Sequence, residues 1–255
     1  MIIPGGGESF IGGGGYLNPG NSGFTGILND HYIDKTGLIA LINDTIETPR
    51  RLTCISRPRR FGKSFAAQML CAYYDKTCDS SHLFEGKDIS KDEDYLRYLN
   101  KYDVIYVDMT YIKPFTNHYR MFVDYLSGKI TEELMRAYPE LSVSNELPET
   151  MIHAVELTGN KFIMTIDEWD APIRENPSVQ QEYLEFLRTL FKSSGTTAKI
   201  FAAAYMTGIL PIKKDGIFKG GQGGPSYRNH EAVSGKRPAS LRYCSHERGG
   251  CCGSD

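Results

Sequence analysis

Two short groups of side chains have the types and spacing that suit phosphate chemistry: Gly62-Lys63-Ser64, and the adjacent acids Asp167 and Glu168. A glycine lets the backbone approach an anion without a Cβ. The ammonium of Lys63 would reach the β- and γ-phosphates of a nucleotide, and the Ser64 hydroxyl would bind Mg²⁺. Asp167 would hold the same cation, and Glu168 would polarise an attacking water. The first group is not an ordinary phosphate loop. In RLTCISRPRRFGKS (residues 51–64), Arg57 stands where a glycine would open the loop, and Pro58 removes a backbone donor. Arg57, Arg59 and Arg60 would offset this by offering guanidinium forks to phosphate oxygens. Taken alone, Gly-Lys-Ser is a weak signal that fits a plain basic turn better than a nucleotide site.

The elements around the two groups favour the second reading. A phosphate site needs a strand, a tight loop and then a helix whose first N–H groups face the anion. Residues 51–56 are a short β-rich run, and Ser64–Lys76 is rich in helix formers with Phe65, Met69, Leu70 and Tyr73 on one side. FIMTIDE (residues 162–168) is an apolar strand that delivers Asp167 and Glu168 at its carboxyl end. Ligands of open α/β sheets bind beyond those ends.

From Phe24 to Lys214, strands and helices alternate. Helical spacing is predicted for His31–Ile46 (Leu38, Ile39, Leu41, Ile42, Ile46), Tyr119–Tyr138, Pro148–Thr158 and Gln180–Ser193. Asp103–Thr110, Lys161–Asp170 and Ala198–Gly208 are continuous apolar runs of strand length. Strands apolar throughout and separated by helices imply a parallel sheet covered on both faces, a three-layer α/β sandwich.

The 255 residues carry a net charge of −2, which gives no global argument for nucleic acid or an anionic membrane. Six cysteines lack zinc spacing, and no apolar run has the ~18 residues of a membrane span. A reduced, cytoplasmic protein is expected. The ends differ from the middle. Residues 1–23 are dense in glycine and are expected to be partly disordered unless something holds them. From Gly216 onward hydrophobic periodicity vanishes, and residues 219–255 are expected to be either a disordered tail or the product of a truncation or frameshift near Gly216–Gly220.

HYIDKTGLI, SRPRRFGKS, FIMTIDEWDAPIRE and AAAYMTGILPIKK together resemble the predicted AAA-ATPase-like family of bacterial proteins, over about four-fifths of the chain, Tyr16 to Phe218. The resemblance implies a P-loop NTPase domain over residues 24–218, of the additional-strand, catalytic-Glu type. It makes Arg57, Pro58, Arg59, Arg60, Phe61, Gly62, Lys63 and Ser64 the family's own form of the Walker A loop, with ATP and Mg²⁺ as ligands. It also implies Thr207 as a polar sensor near the γ-phosphate, Asp34 and Lys35 near the base, and Asp170 supporting the metal site or a turn. The helical lid into which members usually continue, and the nuclease-like domain that often follows, are not recognisable; no arginine finger is assigned, and Arg174 is a nearby candidate only. A non-hydrolysing switch or adaptor stays open as the alternative. So do self-association and a nucleic-acid contact through the five arginines between Pro49 and Arg60.

Overall fold

The computed structural model describes residues 15–110, 122–192, 194–210 and 228–229. The apolar runs become the strands of one sheet: β1 (Leu52–Ser56), β2 (Asp103–Asp108), β3 (Phe162–Asp167) and β4 (Phe201–Gly208). They lie parallel in the order β2-β3-β4-β1, and a two-residue β5 (Arg228–Asn229) pairs with the outer side of β1. Every residue of β3 and β4 is buried, because these central strands are covered on both faces.

Helices α1 (Ser22–Leu28), α2 (Gly37–Asn43) and α3 (Lys63–Tyr74), with the single turns α4 (Ser81–Phe84) and α5 (Tyr95–Tyr98), pack on one face. The other face is covered by α6 (Phe122–Ala137), α7 (Leu147–Thr158) and, after the short α8 (Ala171–Glu175), by α9 (Gln180–Phe191) and α10 (Ser194–Ile200). The period-2 alternation of the strands divides the core accordingly. Val104, Ile163 and Tyr205 join Phe24, Ile39, Met69 and Tyr73 on the first face. Ile105, Val107, Met164, Ile166 and Met206 join Leu126, Ile130, Met151 and Leu187 on the second. Tyrosines buried on the first face keep their hydroxyls satisfied. Tyr74 donates to Asn43 Oδ1 at 2.7 Å, and Tyr73 donates to the Tyr95 carbonyl at 2.6 Å.

Two element starts and the direction of one side chain differ from the sequence reading. Helix α2 starts at Gly37 rather than near His31, because the Asp34 carboxylate accepts hydrogen bonds from both Thr36 N and Thr36 Oγ1 and turns the chain there. Strand β4 starts at Phe201, since Ala198–Ile200 complete α10; apolar character alone does not separate a buried helix end from a strand. Phe65 does not face the core with Met69, Leu70 and Tyr73, but is 55% exposed. Part of the glycine-rich segment is held. Tyr16 accepts from Tyr106 N, Asn18 donates to the Val104 carbonyl, and Leu17 bridges to Ile105 antiparallel, so that residues 15–18 cover the free edge of β2. Readings that concern residues 1–14, 111–121, 211–227 and 230–255, including the unusual C-terminal text, lie outside the described residues.

Candidate functional site

Strand β1 runs out at Ser56, and the chain turns through residues 57–62 into α3. The turn needs left-handed backbone at Arg60 (φ 68°) and Gly62 (φ 72°), the second being the residue immediately before the helix. A β-carbon on Gly62 would have to share space with the Lys35 ammonium, at 2.7 Å. Lys63 opens α3 but folds back over its own loop. Its Nζ donates to the carbonyls of Arg57 and Pro58, at 3.1 Å each, and stands 3.4 Å from Glu168 Oε1. Lys63, a residue only 7% exposed, thereby has its ammonium held where oxygen ligands converge.

The acids arrive from β3. Asp167 is its last residue, 1% exposed, and its Oδ1 accepts from Glu168 N at 3.0 Å and from the hydroxyl of Thr207 at the end of β4. The Ser64 hydroxyl lies close enough to the same carboxylate to oppose the rise in its pKa. Glu168 follows in left-handed conformation (φ 49°), which costs energy for a non-glycine residue and redirects its side chain beyond the sheet. Its two oxygens face two cations: Oε1 faces Lys63, and Oε2 accepts from Arg174 Nη2 at 2.7 Å. Arg174 Nε also donates to Asp170 at 3.0 Å, and the fully buried Asp170 carboxylate accepts from the backbone N–H groups of Ile209 and Leu210. Asp170 therefore builds the turn. Close packing here leaves no room at Gly208, where a β-carbon would fall 2.5 Å from Trp169 Nε1 and 2.7 Å from Asp170 Oδ1. Trp169 itself is core, 2% exposed.

Lys63, Ser64, Asp167, Glu168 and Arg174 line one cavity of about 860 Å³. Of the expected residues it brings together Lys35, Arg59, Arg60, Phe61, Gly62, Lys63, Ser64, Asp167 and Glu168. Four expected residues stand elsewhere. Asp34 turns away to cap Thr36 and to accept from Asp88 N at 2.9 Å. Burial alone would raise its carboxyl, but those hydrogen bonds and nearby Lys87 bring it below the usual range. Thr207 is buried behind Asp167 and spends its hydroxyl on Asp167 and Glu168 N. Arg57 and Pro58 contribute their carbonyls to Lys63 rather than side chains to the cavity wall. The cavity also takes residues that sequence reasoning left out: Asp108 at the end of β2, Thr110 just beyond it, and Tyr32 and Ile33 before α2. Asp108 was legible as a polar residue ending an apolar strand. Its place opposite Asp167 comes from the β2–β3 register, which no local pattern reports.

Burial raises the Asp167 carboxyl above its ordinary value, and the neighbouring Asp108 adds to the rise, outweighing the hydroxyl and backbone hydrogen bonds that lower it. For an acid raised on folding, the ionised form is penalised in the folded state. Its contribution to stability is therefore most favourable below the ordinary carboxylate pKa, is lost as pH rises from there through the raised pKa, and is constant above it. Asp167→Asn keeps an acceptor for Thr207 and removes the buried charge. It is expected to raise the Tm of the ligand-free protein at neutral pH by about 2–4 °C, the response of a domain this size to roughly 1 kcal/mol. Thermal melts from neutral pH down through the acid range check it; the gain should be full at neutral pH and shrink as pH falls through the raised pKa.

The site fits a magnesium–triphosphate ligand. A buried carboxylate destabilised by its surroundings lies beside a hydroxyl, and an ammonium is parked on loop carbonyls that a phosphate would replace. Arginines 59 and 60 add exposed positive charge at the rim, whereas Arg51 is buried and spends its guanidinium on the carbonyls of Glu47, Thr48 and Phe201. Among the described residues no helix is long and apolar enough to cross a membrane, and Cys54, Cys71 and Cys78 are free thiols. The family model described as Predicted AAA-ATPase matches residues 20–218. No curated protein matches the chain significantly.

Proposed function

The chain belongs to the predicted AAA-ATPase family, and on that premise we propose that it binds ATP with Mg²⁺ and hydrolyses it to drive a conformational or assembly switch. One observation carries the reading: Lys63 Nζ stands 3.4 Å from Glu168 Oε1, in a cavity that also holds Ser64 and Asp167. Groups separated by a hundred residues of chain thus meet at the place where a triphosphate and its metal would lie.

In this reading Lys63 leaves the carbonyls of Arg57 and Pro58 for phosphate oxygens, and Arg59 and Arg60 meet the same charge from the rim. Ser64 and Asp167 hold Mg²⁺, with Thr207 fixing the Asp167 carboxylate from behind. The metal supplies charge neutralisation on the phosphates and nothing the side chains must transfer. Glu168 orients the attacking water. The apolar lining from Tyr32, Ile33, Phe61 and Phe65 suits the flat surface of a base, and Lys35 joins this part of the lining through a hydrogen bond to the Phe61 carbonyl. The position of β4 between β1 and β3 supports the additional-strand, catalytic-Glu division of P-loop proteins, and residues 24–218 are assigned as the nucleotide domain.

Phosphate release from ATP tests the reading directly. The wild-type chain is expected to release phosphate in Mg²⁺ and to stop when EDTA removes the metal. Binding of a fluorescent ATP analogue without phosphate release would leave the non-hydrolysing switch; absence of both would end the nucleotide reading.

A further inference from the structure

We propose that Arg174 is the positioning residue for Glu168, holding one carboxylate oxygen so that the other faces the attacking water once Lys63 moves to phosphate. The inference rests on the ATP-hydrolysing reading and goes beyond it by giving Arg174 a task that does not involve touching the nucleotide. Glu168 is 17% exposed at its side chain and sits between two cations of different mobility. Lys63 is bound to loop carbonyls and must move when phosphate enters. Arg174 is fixed from behind: Nη2 is 2.7 Å from Glu168 Oε2, and Nε is 3.0 Å from Asp170 Oδ2. Asp170 is in turn tied to the chain leaving β4, through Ile209 N and Leu210 N at 3.2 and 2.9 Å. The backbone adds to the clamp, since Arg174 N donates to the Asp170 carbonyl at 3.0 Å.

The ends of β3, α8 and β4 are thus joined through one guanidinium. When Lys63 departs, Oε2 stays held and Oε1 is left facing the cavity. A carboxylate on a left-handed residue at a strand end would otherwise swing over several rotamers, and small misplacements of a reacting group cost large factors in rate. The guanidinium has Nε and Nη2 committed to two carboxylates, a geometry that an ammonium cannot reproduce. Arg174 therefore acts through Glu168, not on phosphate as an arginine finger would.

Arg174→Ala separates these roles. Turnover by the full chain is expected to fall by about tenfold to a hundredfold, with affinity for the fluorescent ATP analogue within about twofold of wild type, because uniform binding is untouched. On a Glu168→Gln background the same change should add nothing further, since residues acting as one unit are non-additive. Arg174→Lys should lie between alanine and wild type. A thermal melt shows whether the variant folds, and Asp170→Asn gives a second route to loosening the guanidinium. Unchanged or increased turnover in Arg174→Ala overturns the inference. So does a parallel loss of ATP affinity, which would make Arg174 a phosphate contact. Turnover by wild type with no effect of Arg174→Ala removes this inference alone. No turnover by wild type removes the hydrolysis reading, and this inference with it.

Discussion

Lys63→Ala is expected to abolish measurable nucleotide binding, by at least about a hundredfold in affinity, in titrations with a fluorescent ATP analogue. The magnitude follows from what the side chain would supply. Hydrogen bonds to charged groups contribute about 1.5–3 kcal/mol each, and the ammonium would make two with phosphate oxygens. Each 1.4 kcal/mol is about tenfold in the dissociation constant. Alanine also leaves Glu168 Oε1 facing the incoming phosphate with no cation between them. The fold should survive, since α3 is anchored through Ala67, Met69, Leu70 and Tyr73 on its buried side. A melt with and without Mg-ATP provides the second readout. Wild type should gain Tm with ligand, by about 2.7 kcal/mol of stabilisation at a hundred times Kd, and Lys63→Ala should gain none. Normal binding by a folded Lys63→Ala protein would show that residues 57–64 are a basic turn.

How much of this was legible in the sequence depended on how local each signal is. β2, β3 and β4 were readable as strands because helices cover both faces of the parallel sheet, at the edge strand β2 as well as at the central β3 and β4, which leaves unbroken hydrophobic runs. Gly62, Lys63 and Ser64 were readable because strand, loop and helix follow one another directly in the chain. Asp167 and Glu168 stood out as paired acids closing a buried strand. Side-chain direction inside the loop was not legible. Arg57 and Pro58 serve through carbonyls, and a carbonyl carries no residue identity. Phe65 fits the helical stripe of α3 by spacing, yet it lies in the first turn, beyond the sheet edge, where the stripe faces the cavity. Asp34 was placed near the base, but a local Asx-type bond to Thr36 turns it aside. Thr207 was expected to face phosphate; the buried Asp167 carboxylate instead takes its hydroxyl, as the nearest group needing a donor. Asp108 and Arg174 required knowledge of which strand lies beside which, and where a five-residue helix turns.

Removing the charge from Glu168 should separate binding from chemistry. Glu168→Gln is expected to bind the ATP analogue at least as tightly as wild type while phosphate release falls by about 10²–10⁴-fold, the usual contribution of a positioned general base. The amide is nearly isosteric, so the left-handed backbone and the cavity wall need not change. In the ligand-free protein it weakens two ion-pair contacts, at 3.4 Å to Lys63 and 2.7 Å to Arg174, and leaves both cations facing a neutral group. The Tm of the ligand-free variant should therefore fall. Saturating Mg-ATP should more than restore it, because Lys63 no longer has to leave a carboxylate in order to reach phosphate. The two measurements move in opposite directions, and a general weakening of the fold cannot produce that pattern. Turnover by Glu168→Gln at the wild-type rate would assign the water-orienting task to another cavity acid, with Asp108 the first to test.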